Sequence, residues 1–207
     1  MSRLLEQLAL LGSATVYEAC GRKGLVDVPW RQIVPGSRIA GQARTVRCGQ
    51  GDNLMVHAAM AQVQRGEVLV LTMPEPEPVA LLGDLLATQA QVHGAAGVLV
   101  DAAVRDVEEL ERMALPVWSR YVSIRGAAKE VVGTVGEPVV VGGQEIHSGD
   151  VLVCDADGVV AVPAAEAERA LALAGDREER ERRKRERLRS GQLSYDLDGL
   201  RELVEEP

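Results

Sequence analysis

Arg105, Asp106 and Asp84 are the side chains whose types and spacing could do chemistry. Arg105 and Asp106 fall just past a short apolar run at residues 97–100, which predicts a buried strand. Ligands of open α/β sheets bind at the carboxyl ends of the strands. A guanidinium suits a carboxylate, and two carboxylates suit a hard metal ion. These residues therefore predict a site for an anion and a metal, with a helix cap and a surface ion pair before Val107–Met113 as the alternative.

A predicted helix must bring Asp84 to this site. Gly83 and Asp84 stand where the helix should begin, and Asp84 is a favoured N-cap type because its carboxylate can accept from free first-turn amides. Leu85 and Leu86 start the apolar stripe of the helix, and Gly94 is placed to end it in a left-handed conformation. The N-terminus of such a helix also suits an anion.

The composition favours one globular domain without nucleic-acid or membrane partners. The 207 residues are 46% hydrophobic but only 2% aromatic, so the core must be aliphatic and base-stacking surfaces are scarce. The net charge of -8 argues against general nucleic-acid binding. No apolar run approaches the roughly 20 residues that a membrane-spanning helix needs. Cys20, Cys48 and Cys154 lack metal-ligand spacing and indicate reduced thiols of a cytoplasmic protein, with a catalytic thiol as the alternative.

A second glycine-containing segment precedes another predicted helix. Residues 49–53 lead into a helix over residues 54–65, with Asp52 and Asn53 as ordinary caps. A phosphate cradle is the weaker alternative, because neither a Walker-type lysine nor a dinucleotide-binding glycine pattern is present. His57 lies on this helix beside apolar neighbours and is predicted to be a packing residue.

The order of predicted elements indicates a mixed α/β architecture. Strands at residues 38–47, 67–71 and 97–100 alternate with helices, whereas residues 131–162 predict short strands in a compact β layer or small barrel. A final helix to about residue 189 is apolar at first and charged from residue 176 onward. The tail then regains apolar residues, namely Leu193, Tyr195, Leu197 and Leu200. We therefore predict a single domain over residues 1–175 and a C-terminal helical arm over residues 176–207 that packs on a neighbouring subunit.

Five segments together resemble a known family, the class II 4-hydroxy-4-methyl-2-oxoglutarate/4-carboxy-4-hydroxy-2-oxoadipate aldolases. That family shares its fold with the regulators of ribonuclease activity A. The segments are residues 14–19, 51–59, 83–88, 104–106 and 155–160, and the similarity runs from about residue 4 to residue 201. The Gly-Asp-Leu-Leu element at residues 83–86 and the Arg-Asp element at residues 105–106 are fairly specific in combination.

The resemblance implies a swivelling β/β/α, phosphohistidine-domain-like fold assembled as homotrimers or homohexamers with sites between subunits. It implies Mg²⁺ or Mn²⁺, with Asp106 in the metal shell and Asp84 close by. Arg105 and the backbone of residues 83–86 would hold the pyruvyl end of a small 2-oxo acid. An acid from a neighbour's C-terminal helix would join the outer metal shell, and we assign that role to Glu181, with Glu178 and Glu179 as alternatives.

The implied activity is metal-dependent cleavage of these hydroxy-oxo acids, in aromatic catabolism, to pyruvate plus pyruvate or oxaloacetate. Oxaloacetate decarboxylation would be a side activity. No lysine near the central unit suggests a Schiff base, so a metal Lewis acid is the natural electron sink. A water activated near the metal or held by an acid would take the 4-hydroxyl proton.

Two further points qualify the resemblance. Relatives often have glycine where this chain has Ala102, and a left-handed backbone there would be strained. The alternative function is that of a non-catalytic, protein-binding regulator of ribonuclease activity.

Overall fold

The structure, a computed structural model, describes residues 2–205. Its helices are α1 (Ser2–Leu11), α2 (Ser13–Ala19), α3 (Leu54–Met60), α4 (Asp84–Val92), α5 (Val107–Met113), α6 (Ala167–Arg189), α7 (Ser194–Leu197) and α8 (Leu200–Glu205). Its strands are β1 (Arg31–Gln32), β2 (Ile39–Arg47), β3 (Glu67–Thr72), β4 (Ala80–Leu82), β5 (Gly97–Val104), β6 (Val117–Val122), β7 (Thr134–Val135), β8 (Val139–Val141), β9 (Gln144–Ile146), β10 (Val151–Cys154) and β11 (Val159–Val162). A short 3₁₀ helix, Ala164–Glu166, precedes α6.

A nine-stranded sheet organises the molecule in the order β1-β6-β5-β3-β2-β10-β11. The neighbours β2 and β3, β3 and β5, β4 and β5, and β5 and β6 all run parallel. β4 pairs with β5 beyond the last residue that β3 reaches, and β7 pairs with β2. The carboxyl ends of β2, β4, β5 and β6 therefore lie along one edge, where a ligand site is expected.

The central strands of the sheet are buried on both faces, which explains why their sequences are nearly continuous apolar runs. Every residue of β3 and β5 is buried. One face packs against apolar residues of α3, α4 and α5, and the other packs against Trp118 and the β8–β9 hairpin. A third cluster joins α1, α2 and α6 to β10 and β11. The predicted α/β single domain with a C-terminal helix is thus confirmed.

The short strands predicted over residues 131–162 are present, but the compact β layer or small barrel predicted for them is wrong, because most of them join the main sheet. β10 and β11 extend the main sheet because β10 pairs antiparallel with β2, where Leu152 stands opposite Gly41. Within the described residues, β8 and β9 form a separate two-stranded sheet. The helix predicted over residues 54–65 is also shorter, since α3 ends at Met60 and the chain then turns so that Val63 packs into the core.

The C-terminal helix packs on the body only through its first half. Ala167, Ala170 and Ala174 are buried against α1 and α2, whereas the residues beyond are half-buried or exposed. α7 and α8 leave large apolar side chains in water, with Leu193, Leu200, Leu203 and Val204 at 42–75% exposure. The division into residues 1–175 and 176–207 stays a prediction, and Gly175 lies inside α6.

None of the helices described between residues 2 and 205 is both long and apolar enough to cross a membrane.

Candidate functional site

Two strand ends and two helix starts bring the predicted site residues together. β4 ends at Leu82 and is followed by Gly83 and α4, and β5 ends at Val104 and is followed by Arg105, Asp106 and α5. The amide of Arg105 donates to the carbonyl of Leu82 at 3.0 Å, which ties the two loops together. The predicted location of Arg105 and Asp106 at a strand's carboxyl end is therefore confirmed.

Asp106 links these loops through its carboxylate. Its Oδ2 accepts a hydrogen bond from the amide of Asp84 at 3.3 Å and lies 3.3 Å from Nε of Arg105. Its backbone is left-handed, with φ 57°, a conformation that aspartate tolerates better than most residues. Asp106 thus holds the start of α4 and the guanidinium of Arg105 at one point.

The prediction of Asp84 as an N-cap is wrong. Gly83 is the N-cap, and Asp84 is the first residue of α4 without a side-chain cap. The reason is that the carboxylate of Asp106 accepts the first amide of the helix in its place. Asp84 lines a pocket, and its side chain does not cap its own helix.

This pocket, which we call the Arg105 pocket, has a volume of about 140 Å³. The predicted residues Gly83, Asp84, Leu85, Leu86 and Arg105 line it. Sequence reasoning missed the other lining residues, which are Asn53, His57, Ala80, Ala127 and Lys129.

His57 and Lys129 are the most informative of the missed residues. The prediction of His57 as a packing residue is wrong, because α3 leaves its ring exposed at the pocket. Partial burial of the ring, and then the charge of Lys129, lower the pKa of His57 below its ordinary value. The imidazole is therefore largely neutral at pH 7, beside a lysine that the sequence pattern did not place near the site.

Asp52 and Asn53 behave differently from one another at the start of α3. Oδ1 of Asp52 accepts from the amide of Leu54 at 2.8 Å, which confirms its predicted capping role. Asn53 is the N-cap by position but makes no side-chain cap, so that part of the prediction is wrong. Its Nδ2 instead donates to the carbonyl of Leu81 at 3.1 Å, and its buried Oδ1 lacks a partner in the described structure. Asn53 thereby connects α3 to β4 beside the pocket.

The donor set of the Arg105 pocket suits a hard divalent cation. Asp84 lines the pocket, and Asp106, which is not one of the lining residues, offers a 36%-exposed carboxylate beside Arg105. Residues 2–205 contain no group of three or more histidine, cysteine, aspartate or glutamate side chains positioned to hold a metal ion. Mg²⁺ commonly uses only one or two protein carboxylates, with water and substrate oxygens completing its shell. The residues present therefore fit such an ion.

Glu181, Glu178 and Glu179 do not line the pocket of their own chain. On α6, Glu181 pairs with Arg177 at 2.8 Å and Glu179 pairs with Arg182 at 2.8 Å. Hydrogen bonds from Arg182 and Arg183 hold the pKa of Glu179 below its ordinary range. A role for any of these acids would therefore require a second copy of the chain.

The concern over Ala102 is not realised. Ala102 is buried inside β5, and the non-glycine residues with positive φ in the described chain are Arg22, Asp106 and Ala114. The backbone at Ala102 is therefore free of left-handed strain.

The alternative of a catalytic thiol is disfavoured. All three cysteines are free, and none lines the Arg105 pocket. Burial is the main cause of a raised pKa at each thiol, and it takes that of Cys48 to about 12. The reactive thiolate is consequently scarce near neutral pH.

Gly83→Ala is expected to damage the site without straining the backbone. A Cβ at Gly83 would lie 2.5 Å from Oδ2 of Asp106 and 3.0 Å from Nε of Arg105, while φ of Gly83 is an ordinary -135°. We expect the turnover rate of the reaction at this site to fall by up to about a hundredfold, because a misplacement of about 1 Å can cause a loss of that size. Gly126→Ala is the control, because its Cβ would meet Nη1 of Arg105 at an ordinary 3.4 Å. Equal activities with an unchanged melting temperature would contradict the expectation.

Sequence and structure comparisons agree on one family. The RraA-like family model, described as aldolase/RraA, matches residues 13–161. A Thermus thermophilus protein named 4-hydroxy-4-methyl-2-oxoglutarate aldolase is 36% identical over 61% of this chain and 77% of its own length. A Halalkalibacterium halodurans protein, provisionally given the same name, is 36% identical over 65% of this chain and only 64% of its own length.

Solved structures extend the similarity to most of the fold. An uncharacterized protein from Pseudomonas syringae superimposes with a TM-score of 0.85 and 27% identity, over 93% of this chain and 91% of that one. An RNA-processing inhibitor, RraA of Thermus thermophilus, gives a TM-score of 0.61 and 34% identity, over 65% of this chain and 81% of that one. The resemblance inferred from sequence motifs is thereby confirmed.

Proposed function

Because the chain belongs to the RraA-like (aldolase/RraA) family, we propose that it is a divalent-metal-dependent aldolase. Its substrates would be 4-hydroxy-4-methyl-2-oxoglutarate, 4-carboxy-4-hydroxy-2-oxoadipate or both, cleaved to pyruvate plus pyruvate or oxaloacetate. Oxaloacetate decarboxylation would be a side activity. Relatives named as aldolases support a lyase. The observation that carries the proposal is that the Asp106 carboxylate contacts both Nε of Arg105 and the amide of Asp84, while Arg105 and Asp84 line one pocket.

Asp106 would be the protein ligand of Mg²⁺ or Mn²⁺, with Asp84 nearby. When bound, the ion would supply a Lewis acid that withdraws electrons from the 2-oxo group during carbon–carbon cleavage. The hydrogen bond from the amide of Asp84 and the contact with Arg105 hold the Asp106 carboxylate in place for this role.

The pyruvyl end of the substrate would bind between Arg105 and the start of α4. The amides of Leu85 and Leu86 belong to the first turn of the helix and have no intrahelical acceptor, so they can donate to a carboxylate. The Arg105 guanidinium, 47% exposed, can donate to the same carboxylate and to the enolate oxygen that develops on cleavage.

Lys129 and His57 would receive the far end of the substrate. They line the same pocket as Arg105, and the proposed substrates carry a second carboxylate beyond the 4-hydroxyl carbon. A lysine ammonium can bind that carboxylate, and the neutral imidazole can donate a hydrogen bond to it. The carboxylate of Asp84 would hold the water that takes the 4-hydroxyl proton.

A neighbouring subunit would complete the site in a homotrimer or homohexamer. Glu181 of one copy would approach the metal shell of the next, with Glu178 and Glu179 as alternatives. Exposed apolar side chains support an assembly of this kind, including Leu85 at 72%, Ile124 at 96% and Val132 at 79%. The unburied apolar tail supports it too.

The second candidate is a protein-binding regulator of RNA processing. The similarity to a Thermus thermophilus protein described as an RNA-processing inhibitor favours it. A regulator needs neither a free Asp84 carboxylate nor a pocket lined by two cations, so the enzyme accounts for more of the site.

A pyruvate-release assay with both hydroxy-oxo acids and with oxaloacetate tests the proposal. We expect release that stops on addition of a chelator and returns with Mg²⁺ or Mn²⁺. Since Lys129 lies in the pocket, borohydride should also be added with pyruvate to detect a Schiff base. Chelator-resistant cleavage together with a trapped adduct would overturn the metal mechanism, and no cleavage of any of the three acids would overturn the enzyme.

Arg105→Lys is expected to lower activity by about tenfold or more. The planar fork of arginine can hold a carboxylate and an enolate oxygen together, which lysine cannot copy. Charge-assisted contacts of this kind are worth roughly 1.5–3 kcal/mol. The measurement is kcat/KM for pyruvate release, and Arg112→Lys is the control because Arg112 contacts only Glu108 and Glu109 of its own helix. Wild-type kinetics for Arg105→Lys would refute this role.

A further inference from the structure

Asp52 is a fully buried carboxylate that joins two separate segments. Its Oδ1 accepts from the amide of Leu54 at 2.8 Å, and its Oδ2 accepts from the amides of Glu130 at 2.6 Å and Val131 at 3.1 Å. Two backbone hydrogen bonds beside it, from Asn53 to Ala128 and from Ala128 to Gly51, both measure 2.9 Å. The start of α3 is therefore joined to residues 128–131 by hydrogen bonds, a connection that we call the fastening of this segment.

Each of these two segments carries a charged or titratable residue that lines the Arg105 pocket. α3 presents His57, and the segment 128–131 presents Lys129. Beyond the two backbone hydrogen bonds of Ala128, Val131 packs against Gly49, the amide of Ala80 donates to the carbonyl of Arg125 at 2.7 Å, and Gly133 lies against the carbonyl of Arg47. Asp52 adds the hydrogen bonds to the amides of Glu130 and Val131, which directly follow Lys129.

We propose that Asp52 is a positioning residue that fixes Lys129 at the pocket and thereby sets the affinity for substrates with a second carboxylate. The catalytic part of this proposal rests on the proposed function, in which Lys129 binds that carboxylate. The structural part, the fastening of residues 128–131, stands on the hydrogen bonds alone.

The role requires a group that only accepts hydrogen bonds. Three backbone N–H groups converge on the two oxygens of Asp52. An asparagine could still accept from Leu54 through its oxygen, but its NH₂ would face the N–H groups of Glu130 and Val131. Burial raises the pKa of Asp52, but the amides of Glu130, Leu54 and Val131 and the charge of Lys129 together lower it by more, so the group stays ionised near neutral pH.

The first arm of the test is hydrogen exchange in the full-length protein. Asp52→Asn should speed exchange of the amides of Glu130 and Val131 and leave those of β3 and β5 protected. Glu67→Gln is the control, since Glu67 is also a buried carboxylate that accepts from a backbone amide, that of Gln64 at 2.8 Å, as well as from Arg44, and it does not line the pocket. Unchanged exchange at Glu130 and Val131 would overturn the proposal, whether or not the protein is an enzyme.

The second arm is a kinetic cycle of Asp52→Asn and Lys129→Met. Each variant should raise KM for 4-hydroxy-4-methyl-2-oxoglutarate by about tenfold, as loss of one charge-assisted hydrogen bond predicts. The Ki of pyruvate, which has only the proximal carboxylate, should stay close to wild type. The double variant should be no worse than Lys129→Met alone, because Asp52 acts through Lys129.

The outcomes separate the two proposals. If the increases in KM of the two single variants add up in the double variant, or if KM and the Ki of pyruvate change equally, the positioning role of Asp52 is overturned. The aldolase proposal would be unaffected by either result. An inactive wild type would overturn the aldolase, and faster exchange at Glu130 and Val131 would then still support the fastening by Asp52.

Discussion

Asp106→Asn is expected to abolish pyruvate release and to leave the fold intact. The substitution removes the negative charge of the one carboxylate that contacts both Arg105 and the start of α4. In the proposed mechanism this carboxylate binds the metal, and hard divalent cations bind ionised oxygens far better than amide oxygens at such sites. Asparagine keeps an oxygen that can accept from the amide of Asp84, so the local structure should survive.

The left-handed backbone at Asp106 decides which variant is informative. Its φ of 57° is tolerated by aspartate and asparagine but is unfavourable for alanine. Asp106→Ala would therefore combine a lost ligand with a strained turn, whereas Asp106→Asn tests the ligand alone. Glu108→Gln is the control. Glu108 lies two residues after Asp106, its side chain is exposed, and it pairs with Arg112, so this variant removes the same charge without touching the site.

Activity should be measured with added Mg²⁺ and Mn²⁺ at several concentrations, together with the thermal unfolding midpoint. A folded Asp106→Asn protein with wild-type turnover would end the assignment of Asp106 to the metal.

The local sequence pattern was sufficient to predict the part of the site that follows strands β4 and β5. Arg105 and Asp106 could be placed because a buried strand and the following helix are consecutive, and the end of such a strand is a known ligand position. Gly83 and Asp84 could be placed for the same reason. The N-cap assignment failed because the acceptor for the first amide of α4 comes from a residue 22 positions away.

The positions of His57 and Lys129 at the pocket depend on contacts between distant parts of the sequence, which no local pattern indicates. Lys129 reaches the pocket because its segment is hydrogen-bonded to Asp52 and Gly51. One of these hydrogen bonds joins Glu130 to Asp52, which are 78 positions apart in the sequence. His57 lies on a short helix whose apolar neighbours suggested burial, but the buried residues of that helix are Val56, Ala59 and Met60. The buried Asp52 was the available signal, since a capping carboxylate has spare acceptor sites that another segment can use.

Truncation after Gly175 is expected to weaken the oligomer and to reduce turnover together. The shortened chain keeps Ala167, Ala170 and Ala174, the residues that bury α6 against the body, so the domain should still fold. It loses a charged helical segment and a tail whose Leu203 is 75% exposed in the single chain. Burying that tail on a neighbour would remove apolar surface from water, which is the main driving force for association. Sedimentation velocity and pyruvate release measure the two effects on the same samples.

Glu181→Gln separates the site from the assembly. An acid in the outer shell of a metal typically contributes about 10–100-fold to metal affinity or activity, so we expect a loss of that size with an unchanged oligomer. Glu178→Gln and Glu179→Gln test the alternative acids, and Glu186→Gln is the control further along the same helix, where Glu186 pairs with Arg182. If the truncated protein keeps both its oligomer and its turnover, α6 is a solvated helix with a locally docked tail, and each subunit works with its own residues alone.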